Sequence, residues 1–150
     1  MTRSNYKSAW IKTCDGSAQT FWGEEKVWSS LSSTSVKMIS MTSKNRTSFK
    51  FNTMKDEMFV CVTGKVKAFF GDEPIIASSR GDLQDYVLKP GDAIFIQSSC
   101  PYRLEALVDS TLIEVSSGRG GDIVRLHDDY GRDVTYFNKF IEDLNSKWWS

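Results

Sequence analysis

A single histidine, His127, is present in the whole chain. An imidazole acid/base reaction therefore has one candidate, and a metal site of several histidines cannot be assembled within one chain. Asp128 and Asp129 follow it, so a His–Asp dyad is chemically available. Arg125 and Arg132 flank the same stretch, and the four charges are expected to form a structural cluster rather than a phosphate site. Cys14, Cys61 and Cys100 are odd in number and widely spaced, with no CxxC pair, which argues against a disulfide framework. Cys61 lies in an apolar run and is expected in the core. Cys100 has no neighbouring histidine to activate it as a nucleophile. The run Ser117-Gly118-Arg119-Gly120-Gly121-Asp122 is glycine-rich, but no Gly-Lys-Ser/Thr and no helix follow. It reads as a flexible connection, not a phosphate cradle.

The whole chain narrows the function classes further. Its 150 residues fit one domain spanning 1–150, long enough to bury a core without a metal or disulfide scaffold. Lysine plus arginine and aspartate plus glutamate each total 19, so the zero net charge gives no reason to expect a nucleic-acid or membrane partner. No apolar run approaches a membrane span and no secretory signal is evident, so a reducing, cytoplasmic setting is expected. The Asn45-Arg46-Thr47 sequon is then a chance match.

The elements that must position any chemistry are mostly short strands. From about residue 26 to 125, β-type runs alternate with turn residues, the first clear run being Val36 to Met41. Thr47 to Asn52 alternates apolar and polar residues, the period of a strand with unlike faces. Glu57 to Val62, Gly64 and Lys65 to Phe70 predict a hairpin. Residues 71–84 read as an exposed loop, and Lys89-Pro90-Gly91-Asp92 as a turn. Further strands are expected at 86–88, 93–96, 103–108 and 111–115, a pattern that indicates a sandwich or barrel. Phe137, Phe140, Ile141, Leu144 and Trp148 form one apolar helical stripe. That helix either packs on its own barrel or contributes to a dimer.

Four motifs in order resemble the cupins, in particular the small cupin domains of mannose-6-phosphate isomerase and mannose-1-phosphate guanylyltransferase type. The first is the segment Phe21-Trp22-Gly23-Glu24-Glu25-Lys26-Val27-Trp28. The second runs from Arg46 to Asn52, through Lys55-Asp56-Glu57, to a closing Gly64. The third is Lys89-Pro90-Gly91-Asp92-Ala93-Ile94-Phe95-Ile96, and the fourth Asp122 to Arg132. The resemblance covers roughly residues 20–133. It implies an all-β jelly-roll barrel of two antiparallel sheets, with core at about 20–133, a C-terminal helix at about 134–148, and a pocket at one mouth. It also implies a homodimer paired through sheet edges. His127 falls in the closing segment, which the resemblance places away from the pocket, on a surface or loop. Cys100 falls near the pocket mouth.

The resemblance further implies a metal held by two histidines and a glutamate from the first motif and a histidine from the second. Here those positions carry Lys50, Asn52, Glu57 and Tyr102. A lysine ammonium has no lone pair and a neutral phenol is a poor ligand, so no metal and no cofactor are expected. Lys50 and Asn52, two apart on a strand, share a face. Lys50 is expected to take the cation's place and pair with Glu57, with Tyr102 adding its hydroxyl. Trp22 and Trp28 could line a surface for sugar rings or simply pack.

Two functions follow. The favoured one is non-enzymatic binding of a small molecule, such as a sugar or sugar phosphate, by a metal-free cupin domain, or self-association. The alternative is a metal-independent sugar isomerase or epimerase in which Lys50, Glu57 and Tyr102 supply acid and base groups. An open cavity around these residues favours binding or catalysis; a filled one favours a structural role.

Overall fold

Alternation of apolar and polar residues marks many of the strands between Thr34 and Ser117, and the strands form two antiparallel sheets. The computed structural model describes residues 6–31, 33–118 and 120–149, with the side chains of residues 29–31 left aside. Arg119 of the glycine-rich connection thus lies outside the described residues.

The six-stranded sheet is built from β1 (Gly16–Thr20), β2 (Gly23–Leu31), β3 (Thr34–Met41), β5 (Asp56–Thr63), β8 (Ala93–Ile96) and β10 (Ser110–Ser117). Their order is β1-β2-β3-β10-β5-β8. The five-stranded sheet is ordered β11-β4-β9-β6-β7, from β4 (Phe49–Asn52), β6 (Val66–Phe70), β7 (Gln84–Leu88), β9 (Tyr102–Ala106) and β11 (Ile123–His127). Two short stretches are helical, α1 (Pro74–Ala77) and α2 (Lys139–Trp149).

The two faces of the five-stranded sheet border two different cores. Tyr102, Leu104 and Ala106 of β9 point between the sheets, where they join Met41, Phe59 and Leu112 in the barrel core. Phe49 and Phe51 of β4 point the other way and meet Leu126, Ile141 and Leu144 in a second core outside the sheet. The apolar stripe of α2 therefore packs on its own barrel. The helix begins at Lys139 instead of near 134, because Asn138 is its cap: the Asn138 Oδ1 accepts the Ile141 N–H at 2.9 Å. Phe137 sits before the helix, edge-on to Phe51.

Two expectations are corrected, one by this second core and one by the six-stranded sheet. Residues 71–84 are not simply an exposed loop, since Ile75 of α1 and Leu83 are buried in it. The first strands also lie earlier than the pattern indicated. β1 and β2 form a hairpin whose registers run from Gly16↔Val27 to Thr20↔Gly23. β1 is largely exposed, so it shows little of the apolar alternation by which a strand is recognised.

The glycine that closes the second motif has a steric reason to be there. Gly64 links β5 to β6 with φ +87°, and an added Cβ would lie 2.2 Å from Ser110 Oγ and 2.6 Å from Asp109 O. Gly64→Ala is expected to destabilise the protein by about 1–3 kcal/mol, through strain at positive φ plus the overlap. A urea unfolding curve would show it as a lowered midpoint; an unchanged midpoint would mean that the turn relaxes freely.

Candidate functional site: a charged cavity inside the barrel

β4 and β9 meet at a single register pair, Lys50↔Tyr102, and both side chains turn into the barrel. Glu57 approaches from the opposite sheet, where β5 lies between β8 and β10. These residues line a cavity of about 130 Å³ together with Asn52, Trp22, Lys37 and Glu114. The barrel interior is thus not filled by side chains. The volume admits several waters and is well below the ~300 Å³ at which pockets for drug-sized ligands begin.

Within the cavity the expected pairing takes a different form. The Tyr102 hydroxyl donates to Glu57 Oε2 at 3.0 Å, so tyrosine holds this carboxylate. Lys50 makes no ion pair within 4.0 Å and no hydrogen bond among the described residues; its ammonium stands 5.8 Å from the centre of the Tyr102 ring. The direct Lys50–Glu57 contact is therefore absent, because the phenol has taken the place nearest the carboxylate. Electrostatic coupling persists. Burial pushes the Lys50 ammonium below its ordinary value, Glu57 and Glu114 oppose that shift, and Arg125 and Arg132 add to it. Burial foremost, followed by the same two glutamates, holds the Tyr102 phenol well above its ordinary value.

Glu114 is the functional residue that sequence reasoning missed. It lies on β10 beside Leu112 and Ser116, all three buried and facing inward at a spacing of two. The sequence pattern hid it: Ser110, Leu112, Glu114 and Ser116 alternate with Thr111, Ile113 and Val115, so the more apolar phase is the one that faces outward. Its cross-strand partners are Lys37 on β3 and Phe59 on β5, and Lys37 and Glu25 line the same cavity. Burial, opposed by Lys37 and reinforced by Glu57, pushes the Glu114 carboxyl up to about 7.

The linkage sign follows directly. Between an unfolded value near 4.3 and a folded value of about 7, the native state binds the extra proton. Stability should therefore fall as pH rises through that window, by up to about 1.4 kcal/mol per unit. Glu114→Gln should flatten the dependence. Urea midpoints at pH 5 and pH 8 test this, and equal slopes for variant and wild type would exclude Glu114 as the source.

The four cupin ligand positions do not fit a metal. Asn52 Oδ1 already accepts the Met54 and Lys55 N–H groups at 2.9 and 2.8 Å, closing a local turn. Tyr102 is held protonated, and Lys50 offers a lone pair only when deprotonated. Among the described residues no group of three His, Cys, Asp or Glu side chains is placed to hold an ion.

The other candidates lie elsewhere. His127 is away from the cavity, as expected, but it ends strand β11 and does not sit on a loop. Its Nδ1 is 3.1 Å from Arg103 Nη1, and burial, then Arg103, push the imidazole down. The closing charge cluster divides in two. Arg132 donates twice to Asp128, whereas Asp129 pairs with Arg46 and lies 3.4 Å from Arg103. Arg125 joins neither pair, and its Nε is buried without a hydrogen-bond partner among the described residues. Cys61 is buried in the barrel core. Cys100 is half-buried, and burial followed by Asp72 pushes its thiol up, away from nucleophilic use. Trp22 lines the cavity; Trp28 pairs with Val36 further along β2.

No protein-family model matches the sequence, and no curated protein matches it. Solved structures do match the architecture. Oxalate decarboxylase of Bacillus subtilis, a protein with Mn(II) centres, superposes with a TM-score of 0.61 at 11% identity over 72% of this chain and 29% of that one. The fold is that of the cupins. The capsular polysaccharide assembling protein CapF of Staphylococcus aureus gives a TM-score of 0.60 at 14% identity, covering 74% of this chain and 31% of its own. KdgF from Halomonas sp. gives 0.54 at 16% identity, over 75% and 90%. The chain spans about three-tenths of the length of CapF and of the coconut allergen cocosin. No helix among the described residues is long and apolar enough to cross a membrane.

Proposed function

We propose that this cupin barrel is a metal-independent binding module for a small polar molecule, held in the cavity by Lys50, Asn52, Glu57 and Tyr102 with Glu114. The observation that carries the reading is the cavity itself: about 130 Å³ of space into which groups of both signs project, with Lys50 unpaired among the described residues. Glu57 is held by Tyr102, but the Lys50 amine has no partner among the described residues, and a polar or anionic ligand group would offset the cost of several kcal/mol that an uncompensated buried charge carries. A carbohydrate is the favoured ligand class, on the resemblance of the motifs to the mannose-6-phosphate isomerase type and on the role of CapF in capsular polysaccharide assembly. The volume favours a small fragment, or a sugar that protrudes from the mouth.

The test is a binding screen of small polyols, hydroxy acids and sugar phosphates, read by amide and side-chain NMR shifts. Ligands should shift resonances around Tyr102 and Glu114, and Lys50→Met should abolish the shifts. A complementary variant replaces Lys50 by methionine and Glu57 by leucine together. If no compound binds while this variant is more stable than the wild type, the residues serve structure alone and the binding reading fails. The alternative, a sugar isomerase or epimerase, uses the same Lys50, Glu57 and Tyr102 as acid and base groups. Solvent deuterium exchange into a bound sugar would favour it.

Self-association and location complete the proposal. The outer face of the six-stranded sheet carries two apolar rows, Phe95–Met58–Val115–Val36 and Ala93–Val60–Ile113–Met38, aligned across β8, β5, β10 and β3. Phe95 is 74% exposed. Such a face is apolar enough to dock a second copy about a two-fold axis, so a homodimer is proposed through this face instead of a sheet edge. Light scattering should report a dimer that Val60→Lys converts to a monomer. The free thiols of Cys14, Cys61 and Cys100 support a reducing, cytoplasmic setting.

A further inference from the structure

We propose that Lys50 is an amine nucleophile that condenses with a small aldehyde or ketone admitted to the barrel cavity, forming an imine with Glu114 as the proton donor. The inference rests on the binding reading above and adds a covalent step to it. Its basis is geometric. Lys50 Nζ has no ion-pair or hydrogen-bond partner among the described residues, which leaves it free to attack. Its register partner Tyr102 presents a ring face to the amine while the phenol is engaged by Glu57, so neither neighbour neutralises it. Arg125, paired with Lys50 in register on the other side, discourages a second positive charge. Glu114 lines the same cavity from the opposite sheet, and a carboxyl that titrates near neutrality is well suited to donate and recover a proton. The cavity limits the substrate to about two to four carbons unless it extends through the mouth.

The step balances without an oxidant or reductant. The neutral Lys50 nitrogen forms a bond to the carbonyl carbon, and the C=O π pair moves to oxygen. A proton passes from nitrogen to that oxygen, giving a carbinolamine. Glu114 then protonates the hydroxyl, which leaves as water while the nitrogen lone pair closes the C=N bond. The products are a protonated imine and the Glu114 carboxylate.

The experiment uses the full chain with glycolaldehyde and cyanoborohydride, which reduces the protonated imine to a stable secondary amine. Peptide mass spectrometry then compares labelling rates at individual lysines. Lys50 should label at least ten-fold faster than the exposed Lys139 at pH 7. Glu114→Gln should slow Lys50 by about ten- to a hundred-fold and leave Lys139 unchanged. The groups facing Lys50 are Glu57, Glu114, Tyr102, Arg125 and Arg132, and with them in place wild-type labelling should peak near neutrality while Lys139 labelling rises steadily with pH. This profile serves as the test if the glutamine variant does not fold. Equal rates at Lys50 and Lys139 would overturn the proposal. NMR shifts around Tyr102 on adding glycolaldehyde, without a Lys50 adduct, would defeat the imine and leave the binding reading intact. Neither shifts nor adduct would remove both.

Discussion

Phe49→Ala is expected to lower stability by about 3–5 kcal/mol, the range for emptying a fully buried aromatic site. At roughly 2–4 °C per kcal/mol for a chain of this size, the melting temperature should fall by about 6–20 °C. Phe49 is 0% exposed and lies in the second core, where its ring centre is 5.5 Å from that of Trp149 at the end of α2. The same substitution should therefore alter the tryptophan emission of the native state. Phe49→Leu keeps most of the volume and should cost less than about 1.5 kcal/mol. If Phe49→Ala were within 1 kcal/mol of the wild type, α2 would not be seated on β4 as described.

Arg103→Ala should be comparably severe, for an electrostatic reason. The Arg103 side chain is fully buried, on the opposite face of β9 from Tyr102. Its Nε donates to the Thr47 carbonyl at 2.6 Å, Nη1 lies against His127, and the guanidinium stacks 4.7 Å from the centre of a Trp149 ring. Burial, then the neighbouring Arg46, push Arg103 down to about 10, so it remains charged at neutral pH. Alanine would leave the Thr47 carbonyl unpaired and remove one of the two cations beside Asp129, a loss of about 3–5 kcal/mol. Arg103→Lys keeps the charge but loses the planar stack and the fork of donors, and should recover only part of it. Differential scanning calorimetry of the two variants decides the matter. Full recovery by lysine would mean that charge alone, not geometry, holds the tail.

These two residues also show what the linear sequence makes legible. Phe49, Lys50, Phe51 and Asn52 alternate cleanly, so Lys50 and Asn52 share a face, and the motif resemblance, not the alternation, implies that this polar face turns into the barrel. The four motifs in order locate Glu57 and Tyr102, and the structure brings both to one hydrogen bond. What stays hidden depends on contacts distant in sequence. The preference of Tyr102 over Lys50 as partner of Glu57 is decided by angstroms across two sheets. Glu114 becomes a cavity residue because β10 runs between β3 and β5, a pairing that short-range periodicity does not encode. Ile75 and Leu83 are scattered apolar residues in a polar stretch, and only the position of the second core gives them a reason to be buried. Arg103 sits in an apolar strand, and its stacking partner is 46 positions away, the interval from Arg103 to Trp149.

The place of β10 has a consequence for how the chain reaches this structure. The strand is the link between β3 and β5 in the six-stranded sheet, with Ser110 opposite Met41 and Ser117 opposite Asp56. Until it docks, the β1–β2–β3 group and the β5–β8 pair are separate fragments with unpaired edges. Closing loops this long before any contact repays the entropy makes the late step slow. Refolding is therefore expected on the millisecond-to-second scale of non-local β proteins, and a nascent chain that has not yet emerged past β10 carries two open sheet edges for a chaperone to guard.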